Sequence, residues 1–219
     1  MYEDHYEPVK MYAGYCVTFY QNLAADDPFG GYFEEGYSAM IAIAIRENSP
    51  IINVVLDLSC NTGGSIPAAV YTLCWFLGEN RVSVYNTFTG AQSTMFYKAD
   101  INMDHVQDEQ DTLAGRGLNL FCLISPVSFS CGNLVPWAFK ESGNVTLLGR
   151  TSGGGSCVVF PITTAWGTTL QISGARRIAF VKNGSYYYVD RGVEPDYVIH
   201  TYEHYYNRDT LTEYIQSLY

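Results

Sequence analysis

Two stretches of this 219-residue chain limit its fold more than any others. Ile51 to Leu58 and Leu118 to Ser125 are nearly continuous apolar runs, and each ends in a turn that opens a helical pattern. A strand apolar along its whole length needs cover on both faces, which a parallel sheet flanked by helices supplies. The surrounding pattern agrees. From Glu34 to Asn48 the residues Tyr37, Met40, Ile41, Ala44 and Ile45 recur at helical spacing, with acids at the start and Arg46 near the end. Asn48-Ser49-Pro50 stops this helix. The turn Asn61-Thr62-Gly63-Gly64 leads to a second helix, about Ser65 to Leu77, which Ser65 can cap and whose first turn accommodates Pro67. A third helix is expected from Gly132 to Lys140, and then a short strand from Val145 to Gly149.

The remaining segments are less apolar. Tyr12 to Tyr20 is aromatic and β-branched and predicts a strand, as does Arg81 to Phe88. Thr89 to Arg116 is polar and acidic and predicts an excursion over the surface. After Arg150, short strands alternate with turns through Val158–Pro161, Thr168–Ser173, Arg176–Val181 and Tyr186–Val189, and a helix near Asp209 to Leu218 ends the chain. Strand-then-helix steps and then β-rich material predict one α/β domain with a β-rich flank.

Composition narrows the function. The formal net charge is −10, so neither nucleic acid nor an anionic membrane surface is an expected partner. No apolar run reaches the ~18 residues of a membrane span. The six cysteines form no C-x-x-C pair, which argues against a zinc or dithiol site, and free thiols are expected. No metal or cofactor is expected. The nineteen tyrosines suit half-wet strands and clefts that receive peptides or sugars.

Two turns break the bland pattern. In Asp57-Leu58-Ser59-Cys60-Asn61-Thr62-Gly63-Gly64, glycines leave main-chain N–H groups unshielded beside a helix start, where an oxyanion can bind. In Ser125-Pro126-Val127-Ser128-Phe129-Ser130-Cys131-Gly132-Asn133, a serine stands between a buried strand and a helix, where open α/β sheets place ligands. Taken singly, each turn is equally well an ordinary strand-to-helix connection with a helix cap.

The pair gains meaning from three segments nearer the carboxyl terminus. L-L-G-R-T-S-G-G-G stands at 147–155, W-G-T-T-L-Q-I-S at 166–173 and R-G-V-E-P-D at 191–196. The succession resembles the S41 family of serine peptidases, the C-terminal or tail-specific processing proteases, over about residues 12 to 200. Family members carry a D-L-R-x-N-x-G-G turn, an S-A-S-A-x-E nucleophile segment, G-x-x-T-x-G-K, G-x-x-L-x-x-S and G-I-x-P-D. The resemblance implies a ClpP/crotonase-like core of repeated β-β-α units and no cofactor. It makes Ser130 the nucleophile, with the N–H of Cys131 and that of Gly63 or Gly64 as the oxyanion hole. The implied partner is a peptide or unfolded protein lying along the cleft edges. It also implies that 1–219 is a single S41-like core cut from a longer exported protein, extracytoplasmic or in the cell envelope, without the PDZ-type module of many relatives.

Departures from the family pattern concern the base. The family lysine falls on Gly154 or Gly155, depending on the anchor of the count, and the histidine that another branch draws from its first strand is absent from Gly14-Tyr15-Cys16-Val17. Asn133 stands where an acid is usual. His5, His105, His200, His204 or a residue upstream of this chain are the remaining candidates, with Asp190 as an acid that would orient such a base, while Lys140 should point away from the cleft. Three readings stand open: a Ser130 peptidase, a peptide- or ligand-binding domain that kept the fold and lost the base, and a Cys131 thiol nucleophile beside the same oxyanion turn.

Overall fold

The computed structural model describes residues 11–12, 15–19, 51–64, 66–78, 80–98, 100, 104–182 and 185–218, the first two groups by backbone alone. The two apolar runs become β3 (Asn53–Asp57) and β6 (Asn119–Ile124), paired in parallel with Val54 opposite Leu120 and Leu56 opposite Cys122. They sit at the centre of a six-stranded sheet. Its other members are β1 (Met11–Tyr12), β2 (Tyr15–Phe19), β7 (Thr146–Gly149) and β11 (Tyr197–Val198), in the order β1-β2-β3-β6-β7-β11. Every pairing is parallel except β1 with β2.

Alternation along the central strands explains why both runs are apolar throughout. Val54, Leu56, Leu120, Cys122, Ile124 and Leu147 face a core built with α1 (Ile66–Leu77) and α2 (Cys131–Ser142). Val55, Phe121, Leu123 and Leu148 face the opposite way, onto Leu211 and Ile215 of α4 (Arg208–Gln216), which comes after the one-turn α3 (Glu203–Tyr206). Each strand therefore buries both side-chain sets.

A second sheet covers the far side of α1. It comprises β4 (Asn80–Asn86), β5 (Gln92–Tyr97), β8 (Cys157–Thr163), β9 (Thr169–Lys182) and β10 (Ser185–Tyr188), in the order β10-β9-β4-β5 with β8 on β9. Val82 of β4 and Ile178 of β9 enter the same core as α1.

Three expectations need correction. The segment Tyr12–Tyr20 is a hairpin of two strands, not one. The polar excursion contains β5, an exposed partner of β4, before it turns through two short 3₁₀ segments at Glu109–Asp111 and Ala114–Arg116. The two strands expected over Thr168–Ser173 and Arg176–Val181 are one, because Gly174 does not interrupt β9. The helix expected at Glu34–Asn48 and the capping role of Ser65 lie outside the described residues. Among the described residues no helix is long and apolar enough to cross a membrane.

Candidate active site

Because β3, β6 and β7 run parallel, the segments that leave their carboxyl ends, 58–64, 125–131 and 150–155, converge at one edge of the sheet. Two serines bind the first two segments together. Ser128 Oγ donates to Leu58 O (2.8 Å) and accepts from Ser125 N (2.9 Å), while Ser125 Oγ donates to Ser59 O (2.5 Å). The main chain adds Phe129 N to Asn61 O at 3.0 Å. Glycines 153 to 155 then run beside the second segment, with Gly153 N on Ser128 O (2.8 Å) and Ser130 N on Gly154 O (2.9 Å).

Ser130 is left as the exception among the three serines. It begins α2 with φ +55° and ψ −119°, a conformation costly for a residue with a Cβ, and its hydroxyl makes no capping bond. It is half-buried, at the positive end of the α2 dipole. Gly63 lies against it: a Cβ there would stand 2.7 Å from Ser130 Cβ and 3.2 Å from the Cys131 nitrogen. The structure thus brings Ser130, Cys131 and the Gly63-Gly64 turn together. It also separates the two glycines, since Gly63 N–H donates to Asn61 Oδ1 at 2.9 Å. No hydrogen bond joins the N–H of Gly64 or Cys131 to another described residue. Asn61 is wholly buried and also packs on Gly132, where a Cβ would meet its carbonyl oxygen at 2.4 Å. Its bracing role escaped the sequence reading, although the Asx-then-glycine spacing was a visible signal.

No described side chain hydrogen-bonds the Ser130 hydroxyl as a base would. Both lysine-equivalent positions are closed. A Cβ on Gly154 would fall 2.0 Å from Asp190 O, and one on Gly155 would fall 2.6–2.9 Å from the ring atoms of Phe129. The Phe129 ring fills the space from which a base at 155 would start. His105 is on the acidic excursion beside Asp100, His204 bonds Thr201 and packs edge-on against Tyr214, and His200 is exposed just past β11. His5 lies outside the described residues. Asp190 is not free to orient a histidine. Its Oδ1 accepts from Ser156 N (2.9 Å) and Ser156 Oγ (2.5 Å), and its other oxygen pairs with Arg177. Lys140 pairs with Asp196 at the far end of α2.

Asn133, in place of the usual acid, is structural. Its Nδ2 donates to Val189 O (2.5 Å), and its Oδ1 accepts from Ser152 Oγ (2.5 Å), which itself accepts from Val193 N at 2.7 Å. All three groups are buried. Ser152→Ala should leave two of them unpartnered and lower stability by about 2–4 kcal/mol, since each orphaned buried group costs roughly 1–3 kcal/mol. Urea unfolding checks this, and a loss below about 1 kcal/mol would contradict the network.

The thiols do not support a cysteine nucleophile. Cys131 is 1% exposed, and burial pushes its thiol up to about 11, partly offset by hydrogen bonds with Gly64 O (3.2 Å) and Ser130. A low pKa is what thiolate chemistry requires. The other cysteines with described side chains, Cys60, Cys74, Cys122 and Cys157, are free thiols as well. Among the described residues no cluster of three or more His, Cys, Asp or Glu is arranged to hold a metal.

A parallel sheet with a strained serine at its carboxyl edge, next to glycine amides and a helix start, defines a class of α/β domains built around a serine turn. The profile of peptidase family S41 matches residues 31–199, and the chain belongs to that family. Solved structures agree on the fold. A photosystem II D1 C-terminal processing protease superposes with TM-score 0.61 at 16% identity, over 84% of this chain and 42% of its own. A lipoprotein from Streptococcus agalactiae gives 0.62 at 16%, covering 95% and 68%. The tricorn protease gives 0.54 at 17%, covering 93% and 18%. The fold is therefore the ClpP-like α/β core that the sequence implied, and this chain spans less than half of the D1 processing protease. No curated protein sequence matches the chain.

Proposed function

We propose that this chain is a serine-type peptidase core that cleaves peptide bonds through an acyl-enzyme on Ser130. The observation that carries the reading is the backbone of Ser130, held at positive φ against Gly63 while the neighbouring serines are consumed by hydrogen bonds. Strain of this kind persists only where the surroundings enforce it. An extended peptide laid along the cleft edge would present its carbonyl carbon to Ser130 Oγ. Attack would form the C–O bond and move the carbonyl electron pair onto oxygen. The amides of Cys131 and Gly64 would hold that oxyanion, each donor being worth about 10²–10³ in rate. Gly63 would join only by giving up Asn61. The serine proton would pass to a base and then to the leaving amine, and water would release the acyl group. The base does not come from position 154 or 155, so a histidine is the natural source at neutral pH. We further propose that 1–219 is one domain of a longer, exported protein.

Closure of the lysine position by Phe129 favours a second reading, a domain that binds peptides without cleaving them. One experiment separates the two. The purified protein is treated with a fluorophosphonate probe and with an unfolded protein substrate, alongside Ser130→Ala and single alanine variants of His5, His105, His200 and His204. The peptidase reading expects labelling and hydrolysis that vanish in Ser130→Ala and fall by at least about 10² in one histidine variant. Equal labelling of wild type and Ser130→Ala, with no hydrolysis by either, would reject it in favour of binding alone.

A further inference from the structure

We propose that Asp190 is a positioning residue for Ser130, acting through the glycine segment that runs beside the serine turn. The strained backbone of Ser130 has to be held by its surroundings. Within α2 its carbonyl accepts from Asn133 N and Leu134 N, each at 2.9 Å. The grip on its N–H comes from outside the helix, from Gly154 O at 2.9 Å. The place of that carbonyl therefore helps to set where the Ser130 side chain starts.

Gly154 cannot fix its own carbonyl. It and Gly155 have φ +83° and +87° and no side chains to pack, so this backbone is permissive. Support comes from the 3₁₀ turn Val189–Arg191. The Asp190 carbonyl lies against Gly154, where a Cβ would stand 2.0 Å from it, and accepts from Gly155 N at 3.4 Å. A bond that long is weak. The carboxylate supplies the stronger grip one residue further on. Its Oδ1 accepts from both Ser156 N (2.9 Å) and Ser156 Oγ (2.5 Å), and Ser156 is buried, so water does not replace either bond.

The turn that carries Asp190 is itself firmly mounted. Val189 is fully buried in the core, and its carbonyl accepts from Asn133 Nδ2 of α2. The other carboxylate oxygen of Asp190 pairs with Arg177 of β9, whose guanidinium lies 5.9 Å from the centre of the Tyr188 ring. Asp190 thus ties β9 to the segment whose carbonyl holds the Ser130 N–H. This role differs from orienting a base: it needs no histidine, and it serves the serine turn whatever group takes the proton.

The rate arm of the test rests on Ser130 being the nucleophile, and the exchange arm does not. A displacement of about 1 Å at a reacting group costs about 10²-fold, so fluorophosphonate labelling at saturating probe should slow by about that factor in Asp190→Ala. The half-saturating probe concentration should change by less than about threefold, because the loss falls on the chemical step. Asp190→Asn keeps an oxygen for Ser156 and should recover at least about tenfold of the loss. Asp196→Ala is the structural control. It breaks the Lys140 pair and the Leu147 N–H bond at the far end of α2, and should label like wild type. Hydrogen exchange is read on the same proteins without probe. The Ser130 amide should exchange at least about tenfold faster in Asp190→Ala, beyond any change at Val55 and Leu56 of β3, which report global unfolding. Should Asp190→Ala not fold, Ser156→Ala removes one of the two bonds and takes its place, with an expected slowing of about tenfold. An unchanged limiting rate in Asp190→Ala, no recovery in Asp190→Asn, or an equal loss in Asp196→Ala overturns the proposal. So does a Ser130 amide that exchanges no faster. If wild type and Ser130→Ala label alike, the peptidase reading fails, and the exchange result alone decides the role of Asp190.

Discussion

Gly63→Ala is expected to lower stability by about 2–5 kcal/mol and, in an active enzyme, to cut the rate of Ser130 acylation by 10²-fold or more. Two causes add. The backbone at 63 has φ +112°, which a residue with a Cβ rarely adopts. The new methyl would also stand 2.7 Å from Ser130 Cβ, 3.0 Å from Phe129 O and 3.2 Å from the Cys131 nitrogen. None of these atoms is the end of a flexible side chain, so the nucleophile turn itself must move. Gly90→Ala is the control. Gly90 has φ +72°, but nothing lies within 4 Å of a Cβ there, so it carries the backbone cost alone. Urea unfolding of both variants, with the rate of fluorophosphonate labelling, separates strain from contact. If Gly63→Ala loses no more stability than Gly90→Ala, the two turns are not in the contact described. The stability difference is expected whether or not Ser130 is catalytic, while the labelling difference applies only to a peptidase.

Which parts of this arrangement were legible beforehand depends on the range of each interaction. The buried parallel strands were readable because burial on both faces removes polar residues from Val54–Leu56 and Leu120–Ile124, a purely local mark. β5 was not, since its residues Gln92, Ser93 and Thr94 lie on an exposed edge and resemble a polar loop. The site shows the same division. Ser125, Ser128 and Ser130 are equivalent as local sequence, and only partners at Leu58 and Ser59, far away in the chain, show which two are structural. The missing lysine was visible as Gly154 and Gly155. That Phe129 fills the vacated space was not, because the contact depends on two segments meeting across the sheet edge. Asp190 read equally well as an orienting acid until its pairing with Arg177 and Ser156 was seen.

The other large effect concerns Asp57, at the carboxyl end of β3 below the serine turn. Its Oδ1 accepts from Ser59 N at 2.8 Å, and the residue is 5% exposed. Burial raises its carboxyl to about 6, with the Ser59 hydrogen bonds and the charge of Arg208 pulling back only in part. The folded pKa thus lies above the unfolded value of 3.8. Between the two, the folded chain binds a proton that the unfolded chain has released, so stability from this group falls as pH rises through that window. At about 1.4 kcal/mol per pKa unit, holding Asp57 ionised above pH 6 costs roughly 3 kcal/mol. Asp57→Asn keeps an oxygen to accept from Ser59 N and removes the charge. The variant should therefore be more stable than wild type by about 2–3 kcal/mol at pH 8, with the advantage shrinking toward zero near pH 4. Taking the difference between the two proteins cancels the titration of every other group. Urea unfolding at pH 4.5, 6 and 8 measures it. A difference that does not change with pH would mean that Asp57 is ionised in the folded chain across the whole range.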